Sequence, residues 1–184
     1  SNATANLADN FSNATPSYGA DGAGSVTSAY VLSVNTTAAT GLVDVASNQA
    51  VVLSVTTGGV VEGRTATGGD LVFTVSVNAS GTVELDQVRA IKHANPNNND
   101  ESISLASADQ IKLTRTDTIT DKDGDSAQSS DFINLGSAIA FKDDGPSITL
   151  TDIAAADALV VDETTLGSNA TANLADNFSN ATPS

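Results

Sequence analysis

The sequence lacks cysteine, methionine and tryptophan, and aromatic residues make up only 4% of its 184 residues. Without cysteine the chain can form neither a disulfide nor a thiolate metal site. Basic residues are also scarce, with 7 Lys and Arg against 22 Asp and Glu, so the formal net charge is −15. This charge repels phosphate backbones and anionic lipid headgroups, and we therefore expect neither a nucleic-acid partner nor direct membrane insertion.

Other scarcities argue against an enzyme. The only histidine is His93, so no histidine-based metal cluster can form, and we expect His93 to be a loop residue. A glycosidase needs an aromatic-lined sugar cleft, which two Tyr, five Phe and no Trp do not provide. No apolar run approaches the roughly 20 residues that span a bilayer. The sequence thus predicts a protein without catalytic residues.

What the chain does contain is an internal repeat. The first 17 residues, SNATANLADNFSNATPS, recur without a change as residues 168–184, at an offset of 167. An identity of this length indicates a parent protein with near-identical tandem copies. A period of this size exceeds that of a solenoid unit, so each copy should be a domain with its own core.

Alternating apolar and polar residues, rich in Val, Thr and Ile, predict β-strands separated by Gly- and Asn-rich turns. The predicted fold class is therefore all-β, and the rhythm of strands and turns favours an antiparallel β-sandwich. SITL (147–150) and VVDET (160–164) also have strand character, and residues 151–159 between them should be a loop or a short turn. The main predicted strands are SAYVLSVN (28–35), QAVVLSV (49–55), DLVFTVSVN (70–78), GTVELDQV (81–88) and DQIKLTRTDTIT (109–120).

The stretch TDKDGDS (120–126) contains three carboxylates, Asp121, Asp123 and Asp125, at alternate positions around Gly124. Ca²⁺ takes about 6 to 8 hard oxygen ligands, which closely spaced Asp residues on a Gly-containing turn supply. The spacing is not that of an EF-hand, because Gly comes fourth and the twelfth position is Phe132. We predict a calcium site here; the alternative is a solvated acidic hairpin turn.

Two further acidic clusters have the same chemistry. FKDDGP contains Asp143 and Asp144, and VVDET contains Asp162 and Glu163. All four are candidate metal ligands. Asp21, in the turn GADGAG, is isolated, and we expect it to be a solvated turn residue.

Several segments together resemble a known family, the tandem extender repeats of giant RTX-type bacterial adhesins exported by type I secretion. The resemblance is carried by GLVDVASNQAVVLSV, GVVEGRTATGGDLVFTVSV, ELDQVRAIKH, TDKDGDSA and FKDDGPSITL. It implies an immunoglobulin-like β-sandwich that binds Ca²⁺ within the domain and at domain junctions. It also implies an extracellular location at the bacterial cell surface and a function as a rigid spacer that projects distal ligand-binding domains.

By this resemblance TDKDGDS is the site within the domain, whereas Asp143, Asp144, Asp162 and Glu163 lie near a junction. The unit would begin near DDGP, so that residues 1–145 form the main sandwich without its opening strands and residues 146–184 start the next repeat. The expected partners are adjacent identical repeats, in head-to-tail contact, with strand exchange between molecules as one route. A domain boundary at Ser1 and Ser168 is the alternative.

A second function class also fits the sequence. Exposed loops such as HANPNNNDES (93–102) would suit a module that binds a carbohydrate or a protein directly. Repetition favours the spacer, because a stalk gains length from added copies.

Overall fold

The computed structural model describes residues 1–151 and 153–179, which form two compact units, Ser1–Asp143 and Asp144–Ser184. All of the strands found among these described residues belong to the first unit, and they pair antiparallel throughout. No helix in the described part of the chain is long and apolar enough to cross a membrane. The strands are β1 (Asn2–Asn6), β2 (Ala23–Val34), β3 (Val51–Val55), β4 (Val61–Thr65), β5 (Leu71–Val77), β6 (Thr82–Gln87), β7 (Ser102–Ser104), β8 (Ile111–Asp121), β9 (Ser126–Asn134) and β10 (Ala140–Lys142).

The larger sheet has five strands in the order β1-β6-β5-β4-β3. Four of them follow one another as hairpins, while β1 comes from the start of the sequence and pairs with the outer side of β6. Alternate residues of β4 are buried, as expected for a strand with one face on a core. Gly63 on β4 is required by packing, because a Cβ there would lie 2.2 Å from Cε1 of Phe73.

The second sheet has three strands in the order β2-β8-β9, and β7 pairs with β10 in a separate two-stranded ribbon. Side chains from both larger sheets contribute to one hydrophobic cluster, among them Leu32 and Leu113 from the three-stranded sheet and Val61 and Val75 from the five-stranded one. This shared core holds the two sheets in one unit. The aromatic rings of Phe73 and Phe141 also meet in it, with centroids 5.0 Å apart.

Two charged groups are buried in the first unit: Asp44 and, less deeply, Asp117, which pairs with Arg115 at 2.8 Å. Asp44 is fully buried, and its carboxylate accepts hydrogen bonds from Nε and Nη2 of Arg89 at 3.0 and 2.8 Å. The Arg89 guanidinium lowers the pKa of Asp44 to about 2, against the opposing effect of burial. Arg89 lies two residues after the end of β6, so this ion pair fixes the chain just beyond the strand that holds β1. Nearer the surface, Arg64 and Glu62 form the ion pair that their spacing on β4 suggests, at 2.7 Å.

The predicted main strands are all present, as β2, β3, β5, β6 and β8, and the prediction of an antiparallel all-β fold is confirmed. The prediction of strands at SITL and VVDET is wrong for the second unit. Residues 147–150 form no regular element, and Glu163–Thr165 is a single turn of 3₁₀ helix. A strand needs a partner to satisfy its backbone groups, and the described part of this unit contains no strand that could serve. The described residues between these two segments contain no helix, as predicted.

Candidate metal centre

The end of β8 and the start of β2 lie side by side, and this pairing brings acidic residues together. Ala23 is opposite Asp121, and the register then shifts at Gly24. A Cβ on Gly24 would lie 2.4 Å from the carbonyl oxygen of Thr120, so only glycine allows the two backbones to come this close. Gly22 has a φ of +82° and turns the chain just before β2. The turn carrying Asp21 is therefore placed beside the turn that follows β8.

The β8–β9 turn is built around the carboxylate of Asp121. Its Oδ1 accepts hydrogen bonds from the backbone N–H groups of Gly124 and Asp125, at 3.1 and 2.9 Å. The N–H of Asp121 donates to the carbonyl of Asp125 at 3.0 Å, and Gly124 has a φ of +104°. These contacts fold the acidic stretch into a tight loop, for which glycine in fourth place is needed.

Three carboxylates meet at this loop. One oxygen each from Asp21, Asp121 and Asp123 lies within 4.8 Å of the others, and no second group of three acidic or histidine ligands this close occurs among residues 1–151 and 153–179. The adjacent Asp123 carboxyl, which can donate to Asp121 when it is protonated, and the backbone N–H groups of Gly124 and Asp125 hold the pKa of Asp121 below its usual range. The Lys122 side chain lies next to Gly22 and is the nearby positive charge. Without a cation, the three carboxylates repel one another.

The donor set fits a hard cation. Three carboxylates and no imidazole or thiolate suit Ca²⁺ or Mg²⁺ rather than a transition metal, and Ca²⁺ tolerates the irregular geometry of a loop better than Mg²⁺. Asp21, Asp121 and Asp123 would hold the ion. Its contribution would be to neutralise these charges and tie the β8–β9 turn to the entry of β2.

The predicted ligand Asp125 occupies a different position in the loop. It contributes its backbone groups to the turn, and its side chain lies outside the group of three. Asp121 and Asp125 both border a cavity of about 150 Å³, which Tyr18 also lines. The prediction of Asp125 as a ligand thus stays a prediction.

Asp21 is the residue that sequence analysis assigned to a solvated turn. Nothing in the motif GADGAG links it to TDKDGDS, since the two are 100 residues apart. The link comes from the pairing of β2 with β8. The one usable signal was the density of glycine around Asp21, which is typical of close backbone approach.

The other predicted ligands lie elsewhere in the chain. Asp143 follows β10, where its N–H donates to the carbonyl of Glu101 at 2.7 Å, and Asp144 begins the second unit. Asp162 caps a 3₁₀ turn, accepting hydrogen bonds from the N–H and hydroxyl of Thr164 at 2.9 and 2.7 Å. These bonds lower the pKa of Asp162, and Glu163 is exposed in the same turn. A junction site formed by these four residues stays a prediction.

Comparison with known proteins identifies the family of the chain. No curated protein and no solved structure shows significant similarity to the chain. The family described as "Domain of unknown function (DUF5801)" matches residues 1–136, which are about three quarters of the sequence and include every strand of the five-stranded and three-stranded sheets. The chain therefore belongs to the DUF5801 family.

Proposed function

We propose that this chain is a structural extender repeat of a large bacterial surface adhesin, in which Ca²⁺ rigidifies a stalk that projects distal ligand-binding domains. The observation that carries the proposal is the exact recurrence of residues 1–17 at positions 168–184. The first copy contains β1, an integral strand of the five-stranded sheet. A repeat that supplies a sheet strand marks a folded unit copied in tandem, which is the architecture of a stalk.

The fold supports this function. The two larger sheets share one core, and we propose that they form the two layers of an immunoglobulin-like sandwich. The sequence features that resemble RTX adhesin repeats include β3, β4, β5, part of β6 and the β8–β9 turn.

The charges suggest how calcium would act. With a formal net charge of −15, the chain repels itself and its neighbours. A cation between Asp21, Asp121 and Asp123 would remove repulsion inside the domain, and one near Asp143, Asp144, Asp162 and Glu163 would do so between adjacent repeats. Each ion would replace a mobile, repelling contact by a shared set of ligands.

The decisive experiment is thermal unfolding followed by circular dichroism in millimolar Ca²⁺, in Mg²⁺ and in excess chelator. A ligand that binds only the native state at about 100 times its Kd stabilises it by about 2.7 kcal/mol, so we expect a calcium-specific rise in Tm of about 5–10 °C. Asp121→Asn and Asp123→Asn should remove most of this rise.

The matched control is Asp9→Asn, which changes the charge equally on an exposed residue of the first copy and should keep the full calcium response. Equal Tm values in calcium and chelator for the unaltered chain would overturn the metal-rigidified spacer.

A further inference from the structure

The outer edge of β1 is open. Ser1 and Gln87 exchange backbone hydrogen bonds at 3.0 and 2.7 Å, so by the alternation of an antiparallel ladder the backbone groups of Asn2, Thr4 and Asn6 point away from β6. β1 is the terminal strand of its sheet, and none of the described strands pairs with that edge. Such an edge is a template for one more strand.

An apolar cleft lies beside this edge. It has a volume of about 220 Å³, and its walls come from β1, β6 and the segment leading into β10. Apart from Thr4, every lining residue is apolar. The lining residues are Ala3, Thr4, Ala5, Leu7, Val83, Leu85, Leu135, Ala138, Ile139 and Ala140. The first unit therefore has an open strand edge with an apolar cleft next to it.

The second copy of the repeated sequence shows which segment of the chain can bind to this sequence. The segment that precedes it folds back on it: the N–H of Ile153 donates to the carbonyl of Asn177 at 2.8 Å, and the N–H of Ser179 donates to the carbonyl of Thr151 at 2.9 Å. The amide Nδ2 of Asn177 also donates to the carbonyl of Ala155, at 2.7 Å. Asn177 is consequently only 8% exposed.

The first copy has the same groups without these contacts. Asn10 and Ser12 correspond to Asn177 and Ser179, and both are exposed. Within the described part of the chain, no group donates to the carbonyl of Asn10, and neither its side chain nor the N–H of Ser12 has a hydrogen-bond partner. Because the two copies are identical in sequence, the first can accept the segment that the second already holds.

The same preceding segment carries apolar side chains that are exposed. Leu159, Val160 and Val161 are 58, 76 and 68% exposed, and the 3₁₀ turn capped by Asp162 follows them immediately. In a tandem array these residues precede every copy of the repeated sequence. They have the β-branched, apolar character of a strand that lacks its partner.

We propose that the segment from Thr151, Ile153 and Ala155 to Val161 of one copy of this chain docks on the first copy of the repeated sequence in another. Thr151, Ile153 and Ala155 pair with Asn10 and Ser12, and Leu159–Val161 enter the apolar cleft and extend the sheet along β1. The partner is a second copy of this chain, or the preceding repeat in the parent. The inference rests on the tandem arrangement in the proposed function but needs neither calcium nor adhesion.

Sedimentation equilibrium of the full chain tests this, from about 1 µM to about 500 µM, in calcium and in chelator. We expect head-to-tail association that grows with concentration under both conditions. Val160→Asp disables the donor and Ala3→Arg blocks the cleft, and each should weaken association at least about tenfold. Both residues are exposed, so the fold should be retained, which circular dichroism checks. Asn2→Arg, on the opposite face of β1, is the matched control and should associate as the unaltered chain does.

Mixing the two disabled variants gives the sharpest result. Each has one working end, so a mixture should form a one-to-one dimer that does not grow further, whereas each alone is monomeric. Only a contact between the donor segment of one molecule and the cleft of another predicts this complementation. Non-specific aggregation that both substitutions had weakened would not return on mixing. If the mixture stays monomeric while the unaltered chain associates, the assignment of Leu159–Val161 as the donor and of the apolar cleft as its binding site is wrong.

The two equivalent asparagines provide a second test with opposite signs. Asn10→Ala removes a receiving group and should weaken association about fivefold, while Asn177→Ala releases the segment from its own chain and should strengthen it about fivefold. Equal effects of the two changes would overturn the proposal. So would an unaltered chain that is monomeric at every concentration. Association that persists in chelator while Tm is unaffected by calcium would contradict the metal part of the proposed function and leave this inference standing.

Discussion

In the first copy of the repeated sequence residues 2–6 form an edge strand, whereas the same five residues of the second copy, 169–173, form no regular element. In the first copy Asn2–Asn6 pair with β6, and Leu7 and Phe11 pack against the core. In the second copy the equivalent Leu174 and Phe178 are exposed. Identical residues thus differ in structure because their surroundings differ.

A second feature is the same in both copies. The three residues ADN form one turn of 3₁₀ helix at Ala8–Asn10 and again at Ala175–Asn177. In each case an asparagine two residues earlier accepts a hydrogen bond from the first N–H, at 3.1 Å from Asn6 and 3.2 Å from Asn173. The turn is a local product of the sequence, while the strand is a product of tertiary contact.

The largest expected effect comes from weakening the scaffold of the first copy. Arg89→Met leaves the buried carboxylate of Asp44 with the hydrogen bonds from Ser47 but without its cationic partner, and we expect a loss of about 3 kcal/mol in the free energy of unfolding at neutral pH. Amide exchange at Ala3 and Ala5 should accelerate, with no change in the turn at Ala175–Asn177. Arg64→Met, which breaks a more exposed pair, should cost less than about 1 kcal/mol.

The same variant has a defined pH dependence. The pKa of Asp44 in the folded protein is about 2, below its ordinary value of 3.8. The stability from this pair is therefore fully present above pH 3.8 and is lost as the pH falls towards 2. Denaturant titrations should show the difference between Arg89→Met and the unaltered chain shrinking over this range. A difference that is constant from pH 7 to pH 2 would contradict a role for this ion pair.

A smaller difference in stability should distinguish the equivalent residues Phe11 and Phe178. Phe11 makes an edge-on contact with Tyr30, with ring centroids 6.4 Å apart, so Phe11→Ala should cost about 2 kcal/mol. Because Phe178 is half exposed, Phe178→Ala should lower the free energy of unfolding by less than about 0.5 kcal/mol. Chemical denaturation followed by circular dichroism measures both. Equal losses would mean that the second copy is as well packed as the first.

Proline distinguishes a strand from an irregular segment. In the ladder of β1 the N–H of Ala5 points to β6, so Ala5→Pro removes a sheet hydrogen bond and should cost about 1–2 kcal/mol. Ala172→Pro, at the equivalent position of the second copy, should leave the unfolding midpoint unchanged. A comparable loss at both positions would indicate that the second copy also forms a strand.

The smallest effect should be equal in both copies. Asn6→Ala and Asn173→Ala each remove the hydrogen bond to the first N–H of a 3₁₀ turn. We expect amide exchange at Ala8 and at Ala175 to accelerate by a similar factor, about fivefold. A large difference between the two would show that this turn, too, depends on its surroundings.

The sequence predicted the strands that are rich in alternating β-branched residues. β2, β3, β5, β6 and β8 contain alternating β-branched residues, and that pattern is enough to identify them. It did not predict β1, whose sequence NATAN is poor in strand-forming residues and becomes a strand only through β6. Nor did it predict β9, a polar edge strand with no buried pattern to detect.

Some ligands of the candidate metal centre could likewise be predicted from the sequence, and one could not. Asp121 and Asp123 could be predicted because they lie in one short motif with Gly124. Asp21 could not, because its place depends on the pairing of β2 with β8 and on the bulge at Gly24. Local spacing predicts ligands within a loop, whereas ligands brought together from different loops require knowledge of strand order.

The pairing of β1 with β6 also has a kinetic consequence. Thr4 lies 80 residues before its partner Glu84, and Thr171 lies 87 residues after it. The entropy of closing these two loops differs by less than about 0.1 kcal/mol, since it depends only on the logarithm of loop length. During folding the two copies therefore compete for one place on the sheet on nearly equal terms. In an array of identical repeats every β6 meets such competitors on both sides, and correct assembly then depends on the order in which the repeats emerge and fold.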